Sequence, residues 1–125
     1  MDESPIATKL SPRPPYRDAV PAGGLIFLSG RVALDPATGE LIRGDVAAQT
    51  RRALRNLETV LGSVGASFAD VAKCTVYLTD IKDLDEMNRA YVETLPVPLP
   101  ARTTVAVAGL PLGAKVEIEM IVARP

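Results

Sequence analysis

Arg102 heads the small, β-branched run PARTTVAV, and Glu117 and Glu119 alternate in the later run VEIEM. A guanidinium is a planar fork of donors that fits a carboxylate bidentately and stays charged at any physiological pH. Alternate residues of a strand point the same way and lie about 7 Å apart, so one glutamate can pair with Arg102 while the other orients a water. The same residues also suit plainer roles, a strand-end arginine against a surface glutamate and a solvated strand face. The small neighbours Ala101, Thr103 and Thr104 leave room beside the guanidinium and favour a ligand there.

Other polar candidates are scattered along the chain. Asn88 falls on the apolar stripe of a helical segment, where its amide must find partners in the backbone or in a ligand. Tyr16 lies in a proline-rich stretch and suits a packed anchor or a lid over a pocket. Ser29-Gly30 ends an apolar run, and glycine there either serves an ordinary turn or lets backbone N–H groups approach a ligand closely. Cys74 points to an apolar face and reads as core.

Composition removes several chemistries. The chain has no histidine and a single cysteine, so it offers no Cys/His zinc set and no Ser-His-Asp or Cys-His nucleophile. Formal net charge is -1, from 14 basic and 15 acidic residues spread along the sequence, which leaves no footprint for nucleic acid or an anionic membrane. The apolar runs are too short to span a bilayer and MDESPIATK lacks the flanks of a secretory signal, so a cytoplasmic protein is expected. With 125 residues, 47% of them hydrophobic, one domain covering residues 1–125 is expected.

The elements that must position these residues follow from periodicity. Pro5, Pro12, Pro14, Pro15 and Pro21 predict an extended edge or arm with at most a short strand at Ile6–Leu10. LIFLSG reads as a buried strand, and LDPATGE as a hairpin-like loop between Val32 and Leu41. From Asp45, apolar residues recur at helical spacing as far as Val64, with Asp45 as cap and Gly65 as stop. VAKCTVYLT is a strand with Ala72, Cys74, Val76 and Leu78 on one apolar face. Asp83 to Glu86 matches a capping box for a second helix, whose stripe Leu84, Met87, Tyr91 and Leu95 is ended by Pro96 and Pro98.

Two strands, about Thr103–Ala108 and Lys115–Ala123, complete the order ββαβαββ. Their apolar faces hold Thr103, Val105 and Val107, and Val116, Ile118, Met120 and Val122; the mixed faces hold Arg102, Thr104 and Ala106, and Glu117, Glu119 and Ile121. Two helices cover only one side of such a sheet, so the mixed faces should meet copies of themselves, giving an oligomer with sites between subunits.

Assembled in this order, the chain resembles the RidA family, the YjgF-type reactive-intermediate deaminases also called L-PSP endoribonucleases. The resemblance runs from Pro14-Pro15-Tyr16 through Phe27-Leu28-Ser29-Gly30, LDPATGE, ALRNLETVLGSVGASFADVAKCTVYLTD and MNRAY to PARTTVAV and VEIEM; Pro-Ala-Arg102 followed by V-E-I-E is its most specific part. It implies an α+β, chorismate-mutase-like single domain, a mixed sheet covered on one face by two helices, and a homotrimer with a central barrel and three clefts between subunits. It implies hydrolysis of reactive 2-imino or 2-enamino acids to 2-oxo acids and ammonia, with no metal and no cofactor. Carried over by motif, the carboxylate-binding arginine falls on Arg102, the water-orienting glutamate on Glu119, the lid tyrosine on Tyr16, and pocket-lining positions on Gly30, Asn88 and Thr104. An imine is reactive enough for positioning to suffice, so an enzyme without histidine is chemically reasonable.

The chain also departs from the family pattern. The usual Gly-Pro-Tyr-Ser-Gln reads Pro14-Pro15-Tyr16-Arg17-Asp18, the usual Ser-Gly-Gln reads Ser29-Gly30-Arg31, and the segment from Asn88 to Arg102 is shorter and lacks the common Phe-Phe pair. Arg17 and Arg31 either pair with Asp18 or Glu40, or stand at the cleft mouth and favour larger or more acidic imino acids. Two other functions compete: a non-catalytic trimer that binds a small carboxylate, and a ribonuclease or translation inhibitor. Neutral charge and only five aromatic residues disfavour the latter.

Overall fold

The computed structural model describes residues 14–125, and the expected strand at Ile6–Leu10 lies outside them. Period-two alternation builds four of the five strands: β2 (Leu25–Arg31), β3 (Val71–Leu78), β4 (Ala101–Ala106) and β5 (Val116–Ala123). The fifth, β1 (Ala19–Ala22), makes part of the expected extended edge or arm an edge strand, at a place where no strand was expected. It pairs antiparallel with β2 despite Pro21, because an edge strand can direct the position lacking an N–H away from the ladder. The sheet order is β1-β2-β5-β3-β4, antiparallel except for the β3/β4 pair.

Helices α1 (Val46–Ser63) and α2 (Leu84–Thr94) pack on one another, and α1 packs on β2 and β5. Asp45 caps α1 by accepting from the Ala48 N–H at 2.9 Å. Gly65, at φ +74°, turns the chain out of the helix as Ala66 N–H returns to the Leu61 carbonyl. Leu54, Leu57 and Leu61 of α1 and Met87 and Tyr91 of α2 meet Cys74, Val76, Leu78, Val116, Ile118 and Met120 in the core. This is the α+β, mixed-sheet, one-sided architecture that the sequence implied.

Three details depart from expectation. Val71 pairs with Val122 and Lys73 with Ile121, so Ala72 is a bulged extra residue; it is exposed, and Val71 takes the buried place. At the start of α2, Asp83 makes no side-chain cap bond. A 3-10 turn over Ile81–Asp83 runs straight into the helix and denies Asp83 the extended backbone a cap requires. Glu86 reaches across instead and accepts from the Ala47 N–H at the start of α1, at 3.2 Å.

The third departure moves Arg102. In the parallel β3/β4 pair, Cys74 is opposite Arg102 and Val76 opposite Thr104. Opposed residues on neighbouring strands share a face, and Cys74 and Val76 are wholly buried under the helices. Arg102 and Thr104 therefore lie on the helix-covered face, while Thr103 and Val105 join Thr75, Tyr77, Glu117 and Glu119 on the open one. Strand β3 also separates β4 from β5, so Arg102 has neither glutamate as a direct cross-strand neighbour.

The chain after β2 is held by a polar residue in the middle of α1. Asn56 is fully buried, and its Nδ2 donates to the carbonyls of Val32 and Leu34 at 3.2 and 2.8 Å. Asn56→Ala would leave both carbonyls without this donor, and is expected to lower the unfolding free energy by about 2–3 kcal/mol in denaturant titration; an unchanged midpoint would contradict this.

Candidate active site

The residues singled out from sequence gather into two groups on opposite faces of the sheet. The first is built on β4 and α2. The Arg102 guanidinium stacks over the Tyr91 ring, 4.7 Å from its centroid, which holds the cation in place without neutralising it. No carboxylate of the described residues is within ion-pair distance of it. Thr104 follows on the same face of β4, and Asn88 sits on α2 one turn before Tyr91. Thr104 Oγ1, Asn88 Oδ1 and Tyr91 OH are buried with no hydrogen-bond partner among the described residues. Burial, and then the Cys74 thiol beside it, push the Tyr91 phenol well above the ordinary tyrosine range, and burial pushes the Cys74 thiol up as well.

The second group surrounds a cavity of about 330 Å³ lined by Tyr16, Ser29, Gly30, Arg31, Val32, Leu34, Pro111 and Glu117. Its geometry comes from a bulge: Leu28 pairs with Met120 and Arg31 with Ile118, leaving Ser29 and Gly30 together opposite one residue of β5. The missing side chain of Gly30 is what admits Glu117. A Cβ built there would lie 2.3 Å from Glu117 Oε2, a distance no side chain tolerates. Tyr16, 37% exposed, stands at the cavity wall where a lid was expected.

Glu117, not Glu119, occupies this cavity. The Glu119 carboxylate is turned toward β3, where it accepts a 2.6 Å hydrogen bond from the Tyr77 hydroxyl. That bond, with burial and the glutamate charges, raises the Tyr77 pKa to about 12. Both glutamates share a face, as alternation requires; the glycine bulge on one side and the phenol on the other part their carboxylates. Burial first, and then the Glu119 charge, raise the pKa of Glu117, and the Arg31 guanidinium opposes them.

Arg31 lines the cavity as a buried, paired residue and not as a free cation. It is 4% exposed and ion-paired with Asp18, itself 5% exposed, so its charge is answered within the fold. Arg17 is exposed, and its backbone carbonyl accepts from Ser29 Oγ at 2.6 Å. The two departures from the family pattern at positions 18 and 31 thus form a single buried pair. No local signal in the sequence links them, since the link exists only once β1 folds back on β2.

Residues 6–124 match the family described as Endoribonuclease L-PSP. The chain belongs to this family, which is also the RidA/YjgF family. Among curated L-PSP relatives, it is 41% identical over 123 residues to a RutC family protein of Pyrococcus abyssi, covering 97% of each chain. It is 43% identical over 107 residues to the chloroplastic Reactive Intermediate Deaminase A of Arabidopsis thaliana, covering 86% of this chain and 57% of that protein. Among solved structures, RidA of an Antarctic Psychrobacter superposes with a TM-score of 0.83 at 39% identity, over 87% of this chain and 88% of the other. TdcF of E. coli with bound serine gives 0.82 at 36%, over 89% of each.

A half-buried glutamate with a raised pKa costs stability once ionised. Stability attributable to Glu117 is present below the ordinary glutamate range and is lost as pH rises through its higher folded value. Glu117→Gln is therefore expected to raise the denaturation midpoint at pH 7, with the gap to the wild type closing as pH falls to 4; a lower midpoint at pH 7 would contradict the assignment.

Proposed function

We propose that this chain is a metal- and cofactor-independent deaminase that hydrolyses reactive 2-imino or 2-enamino acids to 2-oxo acids and ammonia, at sites completed between the subunits of a homotrimer. The observation that carries the reading is Arg102: a guanidinium stacked on Tyr91 at a free sheet edge, with no carboxylate partner among the described residues. An arginine so placed is ready for a carboxylate brought by a ligand. The L-PSP family and the deaminase name of the Arabidopsis relative support the reaction, and the serine-bound TdcF supports a small amino-acid-like ligand.

Within one chain the Arg102 group and the Glu117 cavity lie on opposite faces of the sheet, so neither makes a site alone. Assembly supplies the missing half. The open face exposes Leu25, Phe27 and Val105, apolar surface of the kind that subunit contacts cover. A neighbouring copy laid against it would bring its own β4 edge, with Arg102, Thr104 and Asn88, to the cavity of Tyr16, Gly30 and Glu117.

In such a site the chemistry needs no nucleophilic side chain. Arg102 holds the substrate carboxylate and fixes the imine carbon over the cavity. Glu117 takes a proton from a water as its oxygen bonds to that carbon and passes it to the imine nitrogen, giving the carbinolamine; it then takes the carbinolamine hydroxyl proton and gives it to the amino nitrogen as the C–N bond breaks and the C=O bond forms. The products are the 2-oxo acid and ammonia. Glu117 replaces Glu119 in this role because it is Glu117 that lines the cavity with Tyr16 and Gly30. Asn88 and Thr104 offer polar atoms beside the arginine, and Tyr16 closes the cavity.

Turnover of imino acids generated in place by an amino-acid oxidase tests this reading. Arg102→Lys is expected to lose more than tenfold in kcat/KM, because an ammonium cannot supply the two parallel hydrogen bonds and breaking a buried charge pair costs about 2–5 kcal/mol. Glu117→Gln should lose at least a hundredfold in kcat, in line with general-base contributions of about 10²–10⁴, and Glu119→Gln should lose far less. The reverse order for the two glutamates would refute the assignment, and a wild type without turnover would refute the function.

A further inference from the structure

The buried Asp18–Arg31 pair has no part in the reaction above, yet its arginine lines the same cavity as the central carboxylate. Arg31 follows Gly30, the residue over which Glu117 Oε2 is packed, and both Arg31 and Glu117 line the same cavity. One nitrogen of the guanidinium, Nη2, binds Asp18; Nε is buried without a partner among the described residues. Asp18 lies two residues beyond Tyr16, and that segment is fastened to the bulge by Ser29 N–H on the Asp18 carbonyl at 2.9 Å and Ser29 Oγ on the Arg17 carbonyl at 2.6 Å. The pair therefore joins the Tyr16 segment to the strand that seats Glu117.

We propose that Arg31 and Asp18 are positioning residues for Glu117: Arg31 keeps its carboxylate ionised and seated at the Gly30 bulge, and Asp18 sets how much of the Arg31 charge Glu117 feels. The inference rests on the reading of Glu117 as the group that handles the water. Among the described residues, the charged and titratable groups around Glu117 are Arg31 from β2, Tyr77 from β3, Glu119 from β5 and Tyr16 from the segment before β1. Of these Arg31 alone is a cation. Burial and Glu119 favour the protonated acid, and Arg31 works against both. Weakening Asp18 strengthens that opposition; removing Arg31 abolishes it and leaves an unanswered anion nearby.

The two halves of the pair therefore act with opposite sign, which a merely structural ion pair would not do. The acid limb of the kcat/KM profile is expected to move about one pH unit up in Arg31→Gln and down in Asp18→Asn, each about a tenfold change in proton affinity. The double variant Asp18→Asn/Arg31→Gln, which buries no unpaired charge, should fall between them and keeps the test open if Arg31→Gln alone fails to fold. The same shifts should appear in a carboxyl-carbon NMR titration of glutamate-labelled protein, with the Glu117 resonance identified by its loss in Glu117→Gln. Opposite displacements in that titration uphold the inference even if no imine is turned over, in which case the deaminase reading alone falls. Shifts of one sign in both single variants, or none in either, overturn it.

Discussion

The site depends on one close approach, the Glu117 carboxylate packed over Gly30 where a Cβ would lie 2.3 Å away. Any larger residue at position 30 would drive the carboxylate out, so the absence of a side chain on β2 is what places an acid from β5 in the cavity. The bulge at Ser29–Gly30 provides the room, and the resumed pairing of Arg31 with Ile118 fixes the distance along the strand. Asn56 holds the chain beyond it by two backbone carbonyls, and Asp18 holds Arg31 beside it. The supports are buried and polar, the kind of arrangement that specifies a geometry at some cost in stability.

The second half of the site has a different logic. Among the described residues Arg102 has no counter-charge, and it is stacked on an aromatic ring, so its fork of donors is left without an ion-pair partner there. The face it occupies is set by the parallel register of β3 and β4, which places it opposite Cys74. That register sends the arginine and the glutamates to different sides of the sheet. A site that needs both has to be assembled from two copies, so the oligomer would be part of the chemistry and not only a source of stability.

Much of this was legible in the sequence where one physical signal dominates. The helical stripe from Val46 to Leu61, the Asp45 cap, Gly65 and the alternation of β5 all act locally, and the structure follows them. What was not legible depends on partners distant along the chain. Nothing in ARTTVA says which face Arg102 takes, because Thr103 and Val105 look more apolar than Arg102 and Thr104, and only the pairing with β3 decides. Glu117 and Glu119 are equivalent by alternation, and they are separated by Gly30 on one side and Tyr77 on the other. Pairing of Arg31 with Asp18 is one of the readings open in the sequence, but that the pair is buried depends on β1 folding back on β2, and Pro21 argues against that strand. Glu86 matches a capping box, yet it satisfies a donor on the other helix.

The central claim, that each site takes Arg102 from one copy and Glu117 from another, is tested most directly by complementation. Arg102→Ala and Glu117→Ala proteins, each inactive alone, are unfolded, mixed in equal amounts and refolded together, and imine hydrolysis is measured. In randomly mixed trimers three quarters of the assemblies contain both variants and each of these restores one site in three, so recovery of about a quarter of wild-type activity is expected. Activity that stays at the level of the separate variants, in trimers shown to be mixed, would place both residues in the site of a single chain and contradict the account.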